Sequence, residues 1–407
     1  MKKPPCSIVY YYRVKIPKIF FPKQSQWLLF ILTTISISTL HGFKCIIKLS
    51  IYLHQYIMTS NSVYYASTIL HLYAAASIAL GRKNEKAHII FIDQPEDKDY
   101  PLYSIVKNWE SSPFSTVNLL PGRFKGTINK LKKRKQLFKN LETIITDLKP
   151  SNIFIGNDRR IEFQFSMHIT ERLNLNTEGH YMDEGTFTYV GRKASSSFSD
   201  AIIDNWLKKL SYGLWWKNPK TVGESSWIRT IHVAFPALID QRLRKKIIEP
   251  LDNNAFTSEK MLQLSTDILT FYAFDSHKIS NLDALFTLPH ESLFTNNCDY
   301  RDQILSQLKD LTNQGLNVAA KYHPRNSSPD VLDLATAGVE LIPAGISFEA
   351  ILPLLPKKTH IVGDLSSTLL IARWLRPELK VTSVYSDEGN PEFHKLFRAL
   401  NITIKKV

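Results

Sequence analysis

Residues 62–92 read SVYYASTILHLYAAASIALGRKNEKAHIIFI, and this stretch decides the fold. Ser62 to Ala66 is β-branched and aromatic, a composition that suits a strand. Thr68 to Leu80 carries apolar residues at helical spacing. Ala87 to Ile92 is an unbroken apolar run, as expected of a strand covered on both faces in a parallel sheet. Strand, helix and strand at this spacing predict a βαβ unit.

The pattern repeats outward from that unit. Helices are predicted over Leu141–Leu148 and Ile161–Leu173. Strands are predicted over Asn152–Gly156, which runs into Asn157-Asp158, and over Gly179–Met182, which runs into Asp183-Glu184-Gly185. Residues 192–260, with Trp206, Trp215, Trp216 and Trp227, read as irregular helices leading out of a first domain. A second series begins near Asn281. It has strands over Leu282–Leu288 and Leu316–Tyr322, helices over Arg301–Leu311 and Leu365–Trp374, and a last strand over Leu379–Tyr385. The prediction is therefore an α/β chain with two Rossmann-like, doubly wound domains, 59–260 and 261–407, facing a central cleft. This architecture is called GT-B. Open sheets of this kind bind ligands beyond the carboxyl ends of their strands, and every polar group singled out below falls there.

Bulk properties agree. A chain of 407 residues is long for one core and fits two domains of ordinary size. With 44% hydrophobic and 22% charged residues, general disorder is excluded. Cys6, Cys45 and Cys298 stand far apart, so neither a disulfide framework nor a zinc site is expected, and each reads as a small inert hydrophobe. The formal charge of +14 is concentrated at the front, since no Asp or Glu precedes Glu85. Such a basic segment suits an anionic membrane surface or an acidic substrate. No nucleic-acid motif accompanies it. In residues 1–58 the run Trp27–Leu40 is too short to span a bilayer. The segment reads as an interfacial anchor, a poor signal anchor, or a stretch before a true start at Met58.

Four short motifs carry chemistry. Asp183-Glu184-Gly185-Thr186 aims two carboxylates off a strand end, and transfer to a hydroxyl needs such a base. Taken alone the tetrapeptide is more often an acidic turn, and Asp387-Glu388-Gly389 repeats it in a turn context. Lys321-Tyr322-His323-Pro324-Arg325 sets an imidazole at a strand end, where it can serve a phosphate. Gly363-Asp364-Leu365-Ser366-Ser367-Thr368 opens a helix, as an anion site or as plain capping. Ile346-Ser347-Phe348-Glu349 offers a carboxylate to ribose hydroxyls. Asp97-Lys98-Asp99 reads as a solvated loop. The basic run Lys125–Lys139 reads as a wet helix face or as a track for an anionic acceptor.

In combination and in order, these motifs resemble the bacterial sialyltransferases of GT-B fold, including the polysialyltransferase, lipooligosaccharide sialyltransferase and multifunctional groups. Asp183-Glu184-Gly185-Thr186-Phe187-Thr188-Tyr189-Val190 is similar to their acidic-acidic-Gly-Ser/Thr-x-x-Tyr-Val pattern. His323-Pro324 and Ser366-Ser367 resemble their other two motifs. The likeness runs from about residue 60 to the end, and residues 1–58 have no counterpart in it. It implies an inverting, metal-independent transfer of sialic acid from CMP-sialic acid to a glycan hydroxyl, without a cofactor.

The resemblance also assigns roles. Glu184 is the base, Asp183 a supporting acid, and His323 the group at the departing phosphate. Ser347, Glu349, Ser366, Ser367 and Pro324 bind the CMP donor, with Arg325 and Phe187 on the acceptor side. Glu184 stands where some relatives carry Asp. The implied setting is cytoplasmic, at the inner face of the membrane. The same motifs fit a transferase for another CMP-activated ulosonic acid, or a non-catalytic glycan- or nucleotide-binding protein of surface polysaccharide assembly.

Overall fold

The computed structural model describes residues 60–191, 208–385 and 391–406. Residues 59–407 form one compact unit, and the described part contains two parallel sheets. The first sheet is built by β1 (Ser60–Ala66), β2 (Glu85–Ile92), β3 (Phe114–Leu120), β4 (Asn152–Ile155), β5 (Glu178–Met182), β6 (Ile228–Val233) and β7 (Ile247–Pro250). Its spatial order is β3-β2-β1-β4-β5-β6-β7. The second contains β8 (Ala284–Thr287), β9 (Val318–Lys321), β10 (Glu340–Leu341), β11 (His360–Gly363), β12 (Lys380–Tyr385) and β13 (Thr403–Lys406), in the order β10-β9-β8-β11-β12-β13. Each sheet starts in its middle and reverses direction once, between β1 and β4 in the first and between β8 and β11 in the second. Folds of this type bind ligands at such reversals, beyond the strands' carboxyl ends.

The helices in chain order are α1 (Ile69–Gly81), α2 (Pro101–Asn108), α3 (Thr127–Leu148), α4 (Ile161–Arg172), α5 (Thr186–Val190) and α6 (Glu259–Phe271). They are followed by α7 (Glu291–Asn296), α8 (Cys298–Asn313), α9 (Phe348–Ile351), α10 (Ser367–Leu375) and α11 (Pro391–Ala399). Helix α1 lies at the seam between the sheets. Thr68 caps it by accepting the His71 N–H at 3.2 Å, and every side chain from Leu70 to Ala79 is buried. The run Ala74-Ala75-Ala76 lets neighbouring elements approach closely. On one side α1 packs on β1, and on the other it meets α6 and α9. Tyr73 Oη and Ser265 Oγ, 2.6 Å apart and buried, fix α1 to α6. One apolar core accordingly joins Val63, Ile89 and Phe154 of the first sheet to Leu285, Ile361 and Val381 of the second. At the other end of the chain α11 returns to pack against α5, the helix that follows the acidic pair.

Several expectations need correction. Residues 192–260 are not only irregular helices, because β6 and β7 extend the first sheet. The alternation Ile228-Arg229-Thr230-Ile231-His232-Val233 hides β6, since polar Thr230 and His232 are buried in it. The strand at residues 380–385 is not the last, as β13 pairs beside it. Helix α3 starts fourteen residues before Leu141, its polar length having masked its period. Cys298 is exposed at the first position of α8 and is not a buried hydrophobe. Trp216 and Trp227 are buried, and Trp215 stacks on His168 with ring centres 5.9 Å apart. Trp206, Asp387-Glu388-Gly389, Cys6, Cys45 and the N-terminal segment lie outside the described residues.

Candidate active site

The acidic turn comes first in the chain. Strand β5 delivers Asp183 into complete burial, and four donors converge on its carboxylate. Gly185 N–H reaches Oδ1 at 2.9 Å, Thr188 Oγ1 reaches it at 2.8 Å, and Ala234 N–H reaches Oδ2 at 3.0 Å. The Tyr189 hydroxyl is the fourth donor. Burial pushes the Asp183 carboxyl upward and the four donors oppose it. Donors on every side suit an ionised carboxylate that ties β5, α5 and the end of β6 together. Asp183 therefore positions its neighbour. Gly185 follows at φ +92°, a region that side chains rarely enter.

Glu184 is placed differently. Asn157 Nδ2 donates to its Oε1 at 3.2 Å. Its Oε2 is buried with no partner among the described residues. Burial is the main cause that raises its pKa to about 7; Asn157 and the more distant Arg160 oppose the rise, while Asp158 and Asp183 add to it. The adjacent carboxylate, the cause suggested by the sequence, is thus the smallest contributor. The result is a carboxylate poised near neutrality with one free acceptor, as a general base requires. Asn157, at the carboxyl end of β4, was visible in the sequence only as a strand end. Its signal was its place at the reversal between β1 and β4.

On the second sheet a cavity of about 670 Å³ opens at the carboxyl ends of β8, β9 and β11. Its walls include His323 and Pro324 after β9, Ser347 and Glu349 around the start of α9, and Ser366 before α10. Five of the residues singled out from sequence are thereby brought together. Ser366 Oγ does not cap α10; it hydrogen-bonds the Thr368 hydroxyl. Thr368 lines the cavity, whereas Ser367 is exposed and does not. Ser347 does cap α9, accepting the Ala350 N–H at 3.4 Å. Lys321, at the end of β9, is held down to about 8 by burial, against the pull of Glu349. Burial raises Glu349 in turn, with Lys321 opposing. His323 accepts the Arg325 N–H on Nδ1 at 3.2 Å, which leaves its proton on Nε2. Partial burial lowers its pKa, and Arg325, His290 and Lys321 add to that. The Arg325 side chain is exposed, as is Phe187 at 49%.

Glu184 and Asp183 do not line this cavity. Helix α1 connects the two regions. Leu70, in its first turn, lies 3.8 Å from where a Cβ on Gly185 would stand. Farther along, α1 packs on α9, and the charge of Glu349 is felt at Tyr73. Behind the acidic turn His71 Nε2 abuts Gly156 so closely that a Cβ there would sit 2.0 Å away. Among the described residues no three His, Cys, Asp or Glu side chains are grouped to hold a metal. Asp97 pairs instead with Lys125 at 2.8 Å, and Lys133 of the basic run pairs with Glu96. Again among the described residues, no helix is long and apolar enough to cross a membrane.

Two doubly wound halves with their polar groups at the strands' carboxyl ends make up the GT-B architecture. The sequence matches the family model described as Alpha-2,8-polysialyltransferase (POLYST) over residues 62–385, and the chain belongs to that family. Among solved structures it is similar to an α/β-galactoside α-2,3-sialyltransferase from Photobacterium phosphoreum. The identity is 19%, the TM-score 0.55, and the match covers 86% of this chain and 98% of that one. A Listeria monocytogenes protein described as a UDP-N-acetylglucosamine 2-epimerase aligns at 9% identity and TM-score 0.48, over 85% of this chain and 84% of that one. No curated protein matches the sequence.

Proposed function

We propose that the chain transfers sialic acid from CMP-sialic acid to a glycan hydroxyl by a single displacement with inversion. The acceptor oxygen bonds to the anomeric carbon while the bond from that carbon to the phosphate oxygen breaks. Glu184 takes the hydroxyl proton on its free Oε2. The departing phosphate is met by the His323 Nε2–H, which donates a hydrogen bond to the leaving oxygen, so that CMP departs as its phosphate anion with the bonding electron pair. Ser347 and Glu349 hold the nucleoside, Ser366 and Thr368 the phosphate, and no metal is needed in this scheme. Inversion requires base and leaving group on opposite faces of the sugar, and the two groups belong to different sheets.

The single observation that carries this reading is Glu184: a half-buried side chain whose Oε2 is buried and unused, and whose pKa burial raises to about 7. An ordinary acidic turn would be exposed and paired. The donor is the first thing to test. Free CMP should be released from CMP-sialic acid in the presence of sialylated and galactosylated acceptors. The family description makes α-2,8-linked sialosides the first acceptors to try. Preference for a different CMP-ulosonic acid, with CMP-sialic acid left intact, would overturn the donor assignment. Contact of the basic N-terminal segment with an anionic membrane, on the cytoplasmic side, belongs to the same proposal; binding to vesicles containing anionic lipid would report it.

A further inference from the structure

A second imidazole stands in the cavity that holds His323. His290 lies beyond β8, at the N-cap of α7, and lines the same cavity. The His290 and His323 rings meet edge to face with centres 5.4 Å apart. The two are built alike. His290 Nδ1 accepts the Ser292 N–H at 3.2 Å, as His323 Nδ1 accepts the Arg325 N–H at 3.2 Å. In each case a backbone donor two residues on fixes the tautomer, so the proton sits on Nε2. Neither Nε2 has a hydrogen-bond partner among the described residues. Two oriented N–H donors thus enter one cavity from two strand ends of a single sheet. A lone capping histidine would not need this duplication, and a phosphate, with several oxygens to satisfy, uses it.

The geometry points to His290 as a second donor to the nucleotide phosphate, acting beside His323 through Nε2–H. This assignment rests on the CMP-donor reading above. It makes the site a clamp in which one imidazole serves the leaving oxygen and the other holds a neighbouring oxygen of the same phosphate.

Titration calorimetry with CMP and with cytidine separates this role from a structural one. Asn is a favoured N-cap, so His290→Asn keeps the cap on α7 and removes the imidazole. The expected result is CMP binding weakened about tenfold, equivalent to ~1.4 kcal/mol, with cytidine binding and melting temperature unchanged. Unchanged CMP affinity in His290→Asn would overturn the assignment alone, as would equal losses for CMP and cytidine. His290→Ala is the control: if only the cap mattered, Ala would weaken CMP binding and Asn would restore it. Failure of the unmutated protein to bind CMP would overturn the donor reading together with this one.

Discussion

Removing the Asn157 side chain takes away the donor that steadies the charged form of Glu184. In Asn157→Ala the Glu184 carboxyl should rise above about 7, because that hydrogen bond lowers it. A base works only when deprotonated, so activity should climb with pH through about 7 in the native protein, and the same limb should move to higher pH in the variant. A pH profile of kcat/KM reads both effects, and an unmoved limb would separate Glu184 from the observed titration. Asp183→Ala acts on folding instead. It strands four donors, each of which costs about 1–3 kcal/mol when left unpaired in the interior. Chemical denaturation should show a loss on the order of 3 kcal/mol or more. The sequence offered the Asp183-Glu184 pair as two acids of one kind. Only burial and partners divide them, and neither can be read from two adjacent letters. The Ser pair has a similar lesson: Ser366, at the extended N-cap of α10, and Thr368 line the cavity, while Ser367 is exposed.

The elements most legible in the sequence were the buried strands and α1, where apolar runs leave one solution. Strands β6, β7 and β13 were harder, because buried polar groups or short edge segments break the pattern. Within the first sheet His180 Nδ1 lies 3.1 Å from His232 Nε2, and His180 Nε2 lies 3.0 Å from Asn152 Oδ1. Burial holds both imidazoles down to about 3. His232 Nδ1 also lies 3.3 Å from the carboxylate of Glu249, but that group is half exposed and does not offset the burial. An unfolded histidine titrates near ~6.5. Between ~6.5 and ~3 the unfolded chain binds protons that these rings refuse, so their contribution to stability is lost as pH falls through that window. His180→Gln should therefore lose less melting temperature between pH 7 and pH 5 than the native protein loses. Parallel melting curves for the two would contradict this. At the seam, Gly156→Ala would drive a methyl into His71. Overpacking of this kind costs typically about 1–3 kcal/mol, and the thermal midpoint should drop accordingly.

At the level of the whole molecule, two sheets share one core through α1, α6 and α9. Unfolding should be a single cooperative transition despite the doubled topology. CMP at about 100 times its Kd should stabilise that transition by ~2.7 kcal/mol. Two separated calorimetric peaks, with only one shifted by CMP, would mean the lobes are independent. Two parallel-sheet α/β halves were legible from the repeated βαβ pattern. The doubling of imidazoles at His290 and His323 was not, because nothing in the sequence marks His290 until the fold brings β8 beside β9. The central claim is that Glu184 removes the acceptor proton while His323 serves the leaving phosphate. Release of CMP from CMP-sialic acid, measured side by side for the native protein, Glu184→Gln and His323→Ala, tests it directly. The account predicts that each substitution slows release by about 10²-fold or more while the fold is retained. Rates equal to the native one in both variants would contradict it.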